Sequence, residues 1–155
     1  MVCIVDMATT KTPQQLAEYV LSQAKSHRPR TDADRHIEEV QSLWAGYGSV
    51  LRYPHCAINS GRVDEKTQEY IGASKIVVSA ICKLVAPPKE DHTVGHTRKT
   101  RSYDNEMIFY ESVRPLLKTS DNRQRCHIPE AYYLSKRGTA RIFVLEDMKG
   151  AYPRY

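Results

Sequence analysis

The stretch KIVVSAICKLVA, residues 75–86, constrains the fold of this chain more than any other. It is β-branched and apolar at both alternating sets of positions, which predicts a strand covered on both faces. One residue breaks the pattern. Lys83 shares a face with Val77, Ile81 and Val85, and a lysine in that setting has to pair, snorkel or lose its charge. Further along, YDNEMIFYESVRPLL poses the mirror problem. At helical spacing Glu106 shares a side with Phe109, Tyr110, Val113 and Leu117. Two misplaced opposite charges are most economically satisfied by each other. The alternative is that each lies near an element end and reaches water.

The remaining segments supply a frame for that pair. TPQQLAEYVLSQAKS predicts a helix, with Thr12 as N-cap, Pro13 in the first turn and Gln15 completing a capping box. Leu16, Tyr19, Val20 and Ala24 form its apolar stripe. HRPRTDADR reads as a charged connector, and HIEEVQSLW as a second short helix with Ile37, Val40, Leu43 and Trp44 on one side. AGYGS breaks it with a glycine turn. SVLRYPHCAI predicts a strand in which Pro54 marks an edge or bulge. NSGRVDEKTQEYIGAS and PPKEDHTVGHTRKTRS read as polar loops. The helix around 103–114 is expected to kink or end near Val113, ahead of Pro115. IPEAYYLS and ARIFVLED form a hairpin pattern around Gly138. The expectation is an α+β fold. An antiparallel sheet from strands near 49–58, 75–86, 128–134 and 141–147 carries the 103–114 helix on one face, and the N-terminal helices are added to it.

Composition narrows the function classes. The 155 residues suffice for one domain with a real core, and 41% hydrophobic with 26% charged residues is a globular balance. The formal net charge of +5 tolerates nucleic acid, anionic lipid or phosphorylated ligands without demanding any of them. Cys3, Cys56, Cys82 and Cys126 show no C-x-x-C spacing and read as reduced core thiols. Asp6 interrupts the apolar start before a secretion signal could form, and no run is long enough to span a membrane. A cytoplasmic location and no membrane partner are the expectation. His92 and His96 have metal spacing only if helical, and Val94, Gly95 and the flanking threonines read as loop. The basic cluster Arg98, Lys99 and Arg101 reads as a solvated loop rather than a nucleic-acid surface.

A strand lysine paired with a helix glutamate, downstream of a glycine turn, is the arrangement of a kinase N-lobe. Four ordered segments extend the match. They are Lys83-Leu84-Val85-Ala86-Pro87-Pro88; Glu106 with Phe109, Tyr110, Pro115 and Leu117; Ile128-Pro129-Glu130-Ala131-Tyr132-Tyr133; and Val144-Leu145-Glu146-Asp147-Met148. On these the chain, over roughly residues 40–155, resembles the insect ecdysteroid-kinase-like, or CHK kinase-like, branch of the choline kinase and aminoglycoside phosphotransferase group. The resemblance implies a protein-kinase-like N-lobe over 41–155, preceded by an N-terminal helical segment, 1–40. It implies ATP as cofactor, with Lys83 on the phosphates and Glu106 orienting it. Gly46, Gly48 and Ser49 would form the phosphate turn. Leu145, Glu146, Asp147 and Met148 would form the hinge, whose backbone meets adenine.

No histidine in the chain is followed two residues later by Asp, and no Asp is followed by Phe. The family's catalytic loop and metal motif are therefore not found, and neither catalytic nor metal-binding residues are assigned. Mg²⁺ and a small-molecule alcohol or sterol substrate are expected only in a full-length form with its C-lobe. The expectation is an N-lobe that stops at the hinge, inactive and self-associating by itself. The alternative is a degenerate lobe that docks onto a full-length relative. A basic nucleic-acid binder is the least favoured class.

Overall fold

The longest paired element is a hairpin. In this computed structural model, which describes residues 10–26, 37–43, 47–63, 70–88, 93–119 and 127–149, strand β2 (Gly48–Val63) runs antiparallel to β3 (Tyr70–Val85). The strand expected at 75–86 is present but longer. Pairs such as Ser60↔Ser74 and Val63↔Tyr70 carry the ladder into the segment read as a polar loop. Polar side chains do not oppose a ribbon whose backbone groups satisfy each other. Pro54 falls where the register shifts between Tyr53 and Cys56, the bulge its missing donor requires.

Strand β1 (Glu38–Ser42) pairs antiparallel with the start of β2, in place of the second N-terminal helix expected there. Its five residues are exposed, and the flanking Ile37 and Leu43 pack against different core clusters, so the apolar set does not form the single buried stripe a helix would need. Backbone pairing decided the element. β4 (Ala131–Arg137) and β5 (Ala140–Glu146) form the expected hairpin, turning at Gly138 with φ +59°. Among the described residues the sheet has five strands in the order β1-β2-β3-β5-β4, with every neighbouring pair antiparallel.

The two sheet faces are covered by different helices. α1 (Pro13–Ser26) starts with the predicted capping box: Thr12 N–H donates to Gln15 Oε1 at 2.9 Å and Gln15 N–H to Thr12 Oγ1 at 3.2 Å. It buries Leu16, Ala17, Val20 and Leu21 against Tyr53, Cys56, Ala80, Cys82, Leu84, Ile142 and Val144. Just ahead of α1, Lys11 adds to β2 as a short parallel bridge at Cys56. On the other face α2 (Val94–Ile108) packs Tyr103 and Met107, and the turn that follows it packs Tyr110, over Val85, Phe143 and Leu145.

α2 begins a full two turns earlier than the reading of HTVGH as loop, because the Thr93 hydroxyl accepts from His96 N–H at 3.1 Å and caps it. Nor does the helix stop before Pro115. A π-turn (Phe109–Val113) inserts one residue, Arg114 N–H bonds back to Phe109 O, and α3 (Arg114–Thr119) follows. Pro115 then sits in a first turn, where its lack of an N–H costs little. The result is an α+β lobe consistent with a kinase-like N-lobe. Among the described residues no helix is long and apolar enough to cross a membrane.

Candidate functional site

Lys83 sits in the middle of the sheet, opposite Val50 on one side and Phe143 on the other. Its face is the α2 face. Lys83 Nζ donates to Glu106 Oε2 at 2.6 Å, with side chains 17% and 29% exposed. The ammonium also lies 5.0 Å from the Tyr103 ring centroid and 5.4 Å from that of Phe143, each ring presenting a negative face to it. The two misplaced charges of the sequence therefore pair with each other. The carboxylate leaves its mark on the neighbouring phenols. Burial first, and the Glu106 charge second, push the Tyr103 and Tyr110 hydroxyls above their ordinary range, while Arg114 pulls Tyr110 slightly back.

Beside the pair opens a cleft of about 930 Å³. Val40, Val50, Ile81, Leu145 and Met148 supply its apolar surface, and Glu38, Glu39, Arg52, Glu146, Asp147 and Lys149 its polar surface. Lys83 and Glu106 are not in the lining, but Val50 and Ile81 border Lys83 on the same sheet face. Leu145, Glu146, Asp147 and Met148, the four positions expected to form a hinge, all line the cleft.

The two carboxylates among these four positions are engaged by protein groups. Glu146 Oε2 accepts from Glu130 N–H at 3.0 Å and lies 3.0 Å from His127 Nε2. Burial alone would raise its pKa; His127 and the Glu130 amide outweigh that and hold it below the usual carboxylate range. Asp147 accepts from Ser79 Oγ at 2.6 Å, Arg52 Nε at 2.8 Å and Lys149 N–H at 3.1 Å. Here too burial pushes upward, and the Ser79, Lys149 and Arg52 donors together pull the group below its ordinary value. Arg52 also reaches Glu38 at 2.5 Å, so one guanidinium ties β1, β2 and the end of β5 around the cleft.

The glycine turn is only partly brought to this site. Gly46 lies outside the described residues. Gly48 has φ +146°, and a Cβ there would sit 1.9 Å from Leu84 O, so its bare backbone is what lets β2 start against β3. Ser49 alternates with Leu51 and Tyr53 and belongs to the α1 face, away from Lys83. Tyr47, at the end of the turn, is buried, and its hydroxyl lies 2.7 Å from His96 Nδ1 on α2. Lys99 stacks over the Tyr47 ring at 5.4 Å. His96 is thus packed against the turn, while His92 lies outside the described residues. Cys56 and Cys82 are buried free thiols, as expected, and Cys3 and Cys126 lie outside the described residues.

Sequence reasoning missed two arginines. Arg52 interrupts an apolar strand as Lys83 does, and the same oddity could have flagged it. Arg114 stands eight residues after Glu106 and four after Tyr110, on the helix side that faces the sheet. It is 7% exposed and hydrogen-bonded through all three guanidinium nitrogens to the chain before β4. Where α2 crosses β4 and β5, Asp104 is gripped by Arg141 and Lys136, and the Arg141 hydrogen bonds hold its carboxyl below the usual range.

A family model described as "Ecdysteroid kinase-like family" matches residues 59–152. That span contains Lys83, Glu106 and the four expected hinge positions, and begins after the glycine turn. No curated protein and no solved structure gives a significant match.

Proposed function

The chain belongs to the ecdysteroid kinase-like family, and on that premise we propose that it forms the nucleotide-binding N-terminal lobe of an ATP-dependent small-molecule kinase. The observation that carries the proposal is the 2.6 Å Lys83–Glu106 pair beside a cleft of about 930 Å³. The residues present fit ATP. Pockets of about 300–1,000 Å³ are usual for ligands of this size. The apolar side chains of Val40, Val50, Ile81, Leu145 and Met148 offer an apolar surface for a flat base. Lys83 supplies a cation for phosphate oxygens, and Glu106 fixes where that cation stands.

When bound, ATP supplies the transferable γ-phosphoryl group. Catalysis of that transfer is almost entirely positioning and charge stabilisation. The described residues provide the first, through Lys83, Glu106 and the cleft walls. With no H-x-D or D-F pair in residues 1–155, this polypeptide binds nucleotide without turning it over. Transfer to an alcohol or sterol belongs to a form that also carries the base and the metal ligands.

Calorimetric titration with ATP tests the reading. Wild-type protein binds, and Lys83→Met weakens binding by about tenfold or more, the loss of one charge-assisted contact of roughly 1.4 kcal/mol. Equal affinity in the two proteins overturns it. ATP consumption coupled to any alcohol, and abolished by Lys83→Met, overturns the claim of binding without turnover.

One observation favours a second reading, a degenerate lobe that docks on a full-length relative. Ile108, Val113 and Leu116 are 53%, 42% and 69% exposed along the outer side of the long helix, and grouped exposed apolar residues mark contact surfaces. Sedimentation at micromolar concentration separates the two. A sharp monomer that binds ATP supports the nucleotide lobe, whereas self-association without ATP binding supports the docking module.

A further inference from the structure

We infer that Arg114 is a positioning residue: its guanidinium locks the helix that bears Glu106 to the wall of the cleft and so sets where Glu106 meets Lys83. The inference rests on the nucleotide reading for its functional meaning but not for its test. Arg114 is 7% exposed and uses its whole donor fork. Nε donates to Pro129 O at 2.6 Å, Nη1 to Glu130 Oε1 at 2.9 Å, and Nη2 to Glu130 Oε2 at 2.8 Å and Ile128 O at 3.3 Å. Pro129 is itself a wall of the cleft. Glu130 N–H then donates to the Glu146 carboxylate at 3.0 Å, and Glu146 N–H returns to Glu130 O at 2.8 Å. A continuous hydrogen-bonded path therefore runs from the helix to the last residue of β5.

The apolar contacts of the helix do not do this job. Met107 and Tyr110 rest on Val85, Phe143 and Leu145, which fixes the height of the helix above the sheet. Dispersion contacts are non-directional and leave rotation and sliding along the axis soft. A planar bidentate fork is directional and removes that freedom. The π-turn is what aims the fork. It inserts a residue between Glu106, which faces Lys83, and Arg114, which faces the 128–130 segment. Such turns often occur at functional sites. Arg114 touches neither Lys83 nor the cleft contents, so its action runs through Glu106.

The test reads Lys83 directly, without nucleotide. In the full chain, amine acylation of Lys83 is followed by mass spectrometry, with alkylation of Cys82, its buried neighbour in β3, followed in parallel. Arg114→Lys keeps a positive charge but loses the fork. It is expected to raise the Lys83 acylation rate about tenfold, the release of a contact worth roughly 1.4 kcal/mol, with Cys82 unreactive as in wild type. Glu130→Gln, which keeps the shape and half the acceptors, shifts the rate in the same direction by less. An unchanged Lys83 rate in both variants overturns the inference. A parallel rise at Cys82 in both also overturns it, because Arg114 would then hold up the fold as a whole rather than place one helix. Failure of wild-type protein to bind ATP would remove the nucleotide reading and leave the labelling result standing.

Discussion

The same strands present two unlike faces. Toward α1 they show Tyr53, Cys56, Ala80, Cys82, Leu84, Ile142 and Val144, a dry apolar layer closed by Leu16, Ala17, Val20 and Leu21. Toward α2 they show Val50, Arg52, Ile81, Lys83, Phe143 and Leu145, and the covering helix brings Glu106 and Arg114. Charge pairs occupy central positions on this face where the other has aliphatic side chains, thiols and the Tyr53 ring. A strand alternates with a period of two, so one β3 sequence can specify both at once. The α1 face holds the lobe together. The α2 face surrenders part of its burial to a cleft and keeps its charges paired.

That contrast predicts a ranking of mutational effects on stability. The largest belongs to the α1 face. Leu16→Ala removes a side chain that is 1% exposed and is expected to cost about 3 kcal/mol in denaturant unfolding, within the usual 2–5 range. ATP affinity, measured while the protein is folded, stays near wild type. A large loss of affinity with little loss of stability would reverse the assignment of the two faces.

Gly48→Ala comes next and breaks the contrast on purpose, because Gly48 belongs to neither face. A Cβ there meets Leu84 O at 1.9 Å with φ at +146°, so β2 has to move off β3. About 2 kcal/mol of stability should be lost through strain at a positive φ. Nucleotide affinity should fall along with it, since Val50 moves with the strand. Equilibrium unfolding and ATP titration of one preparation check both.

Low pH should weigh on the α2 face, whereas high pH acts on the buried thiols of the α1 face and on the Tyr103 and Tyr110 hydroxyls of the α2 face. Asp104 and Asp147 stand on the α2 side, and their donors keep them below their ordinary values, 3.8 for each, in the fold. Their contribution is full above those ordinary values and is lost as pH falls through the depressed folded ones. Cys56 and Cys82 stand on the α1 side, and burial pushes their thiols from 9.0 up to about 11 and about 12. Their contribution is full below pH 9 and is lost as pH rises toward those values, because the unfolded chain ionises first. Denaturant midpoints across pH check this. Asp104→Asn should flatten the acid limb only, and Cys82→Ala should flatten the alkaline limb only.

The smallest change in stability is expected from Lys83→Met. Glu106 retains 29% exposure, so losing its partner should cost about 1 kcal/mol or less, although nucleotide affinity falls about tenfold. A loss of stability as large as that of Leu16→Ala would make the pair part of the scaffold.

Much of this arrangement was legible beforehand. Two charges on apolar stripes announced Lys83 and Glu106, because burial without a partner is too costly to persist. Thr12 and Gln15 announced the start of α1, and Gly138 the β4–β5 turn, since caps and tight turns are set by residues a few positions apart. The segment 37–43 was misread for the opposite reason. Its spacing suits a helix, but the partner that made it a strand is the start of β2, Ser49 to Arg52, in pairs such as Glu38↔Arg52 that no local periodicity relates. The start of α2 was missed because Val94, Gly95 and the flanking threonines were weighed as loop formers, and Thr93 not as the cap that accepts from His96 N–H.

The sequence by itself determined which strands alternate, where the chain turns, and that Lys83 and Glu106 needed partners, because each follows from local geometry and the cost of a lone buried charge. Only the tertiary structure decided that the partners were each other, that Gly48 must be bare to let β2 meet Leu84 O, and that Arg114 joins the helix to the end of β5. Those contacts link residues that no periodicity relates. They exist because the sheet order lays β5 beside β3, so that the α2 helix packed over both can reach Lys83 with Glu106 and the chain before β4 with Arg114.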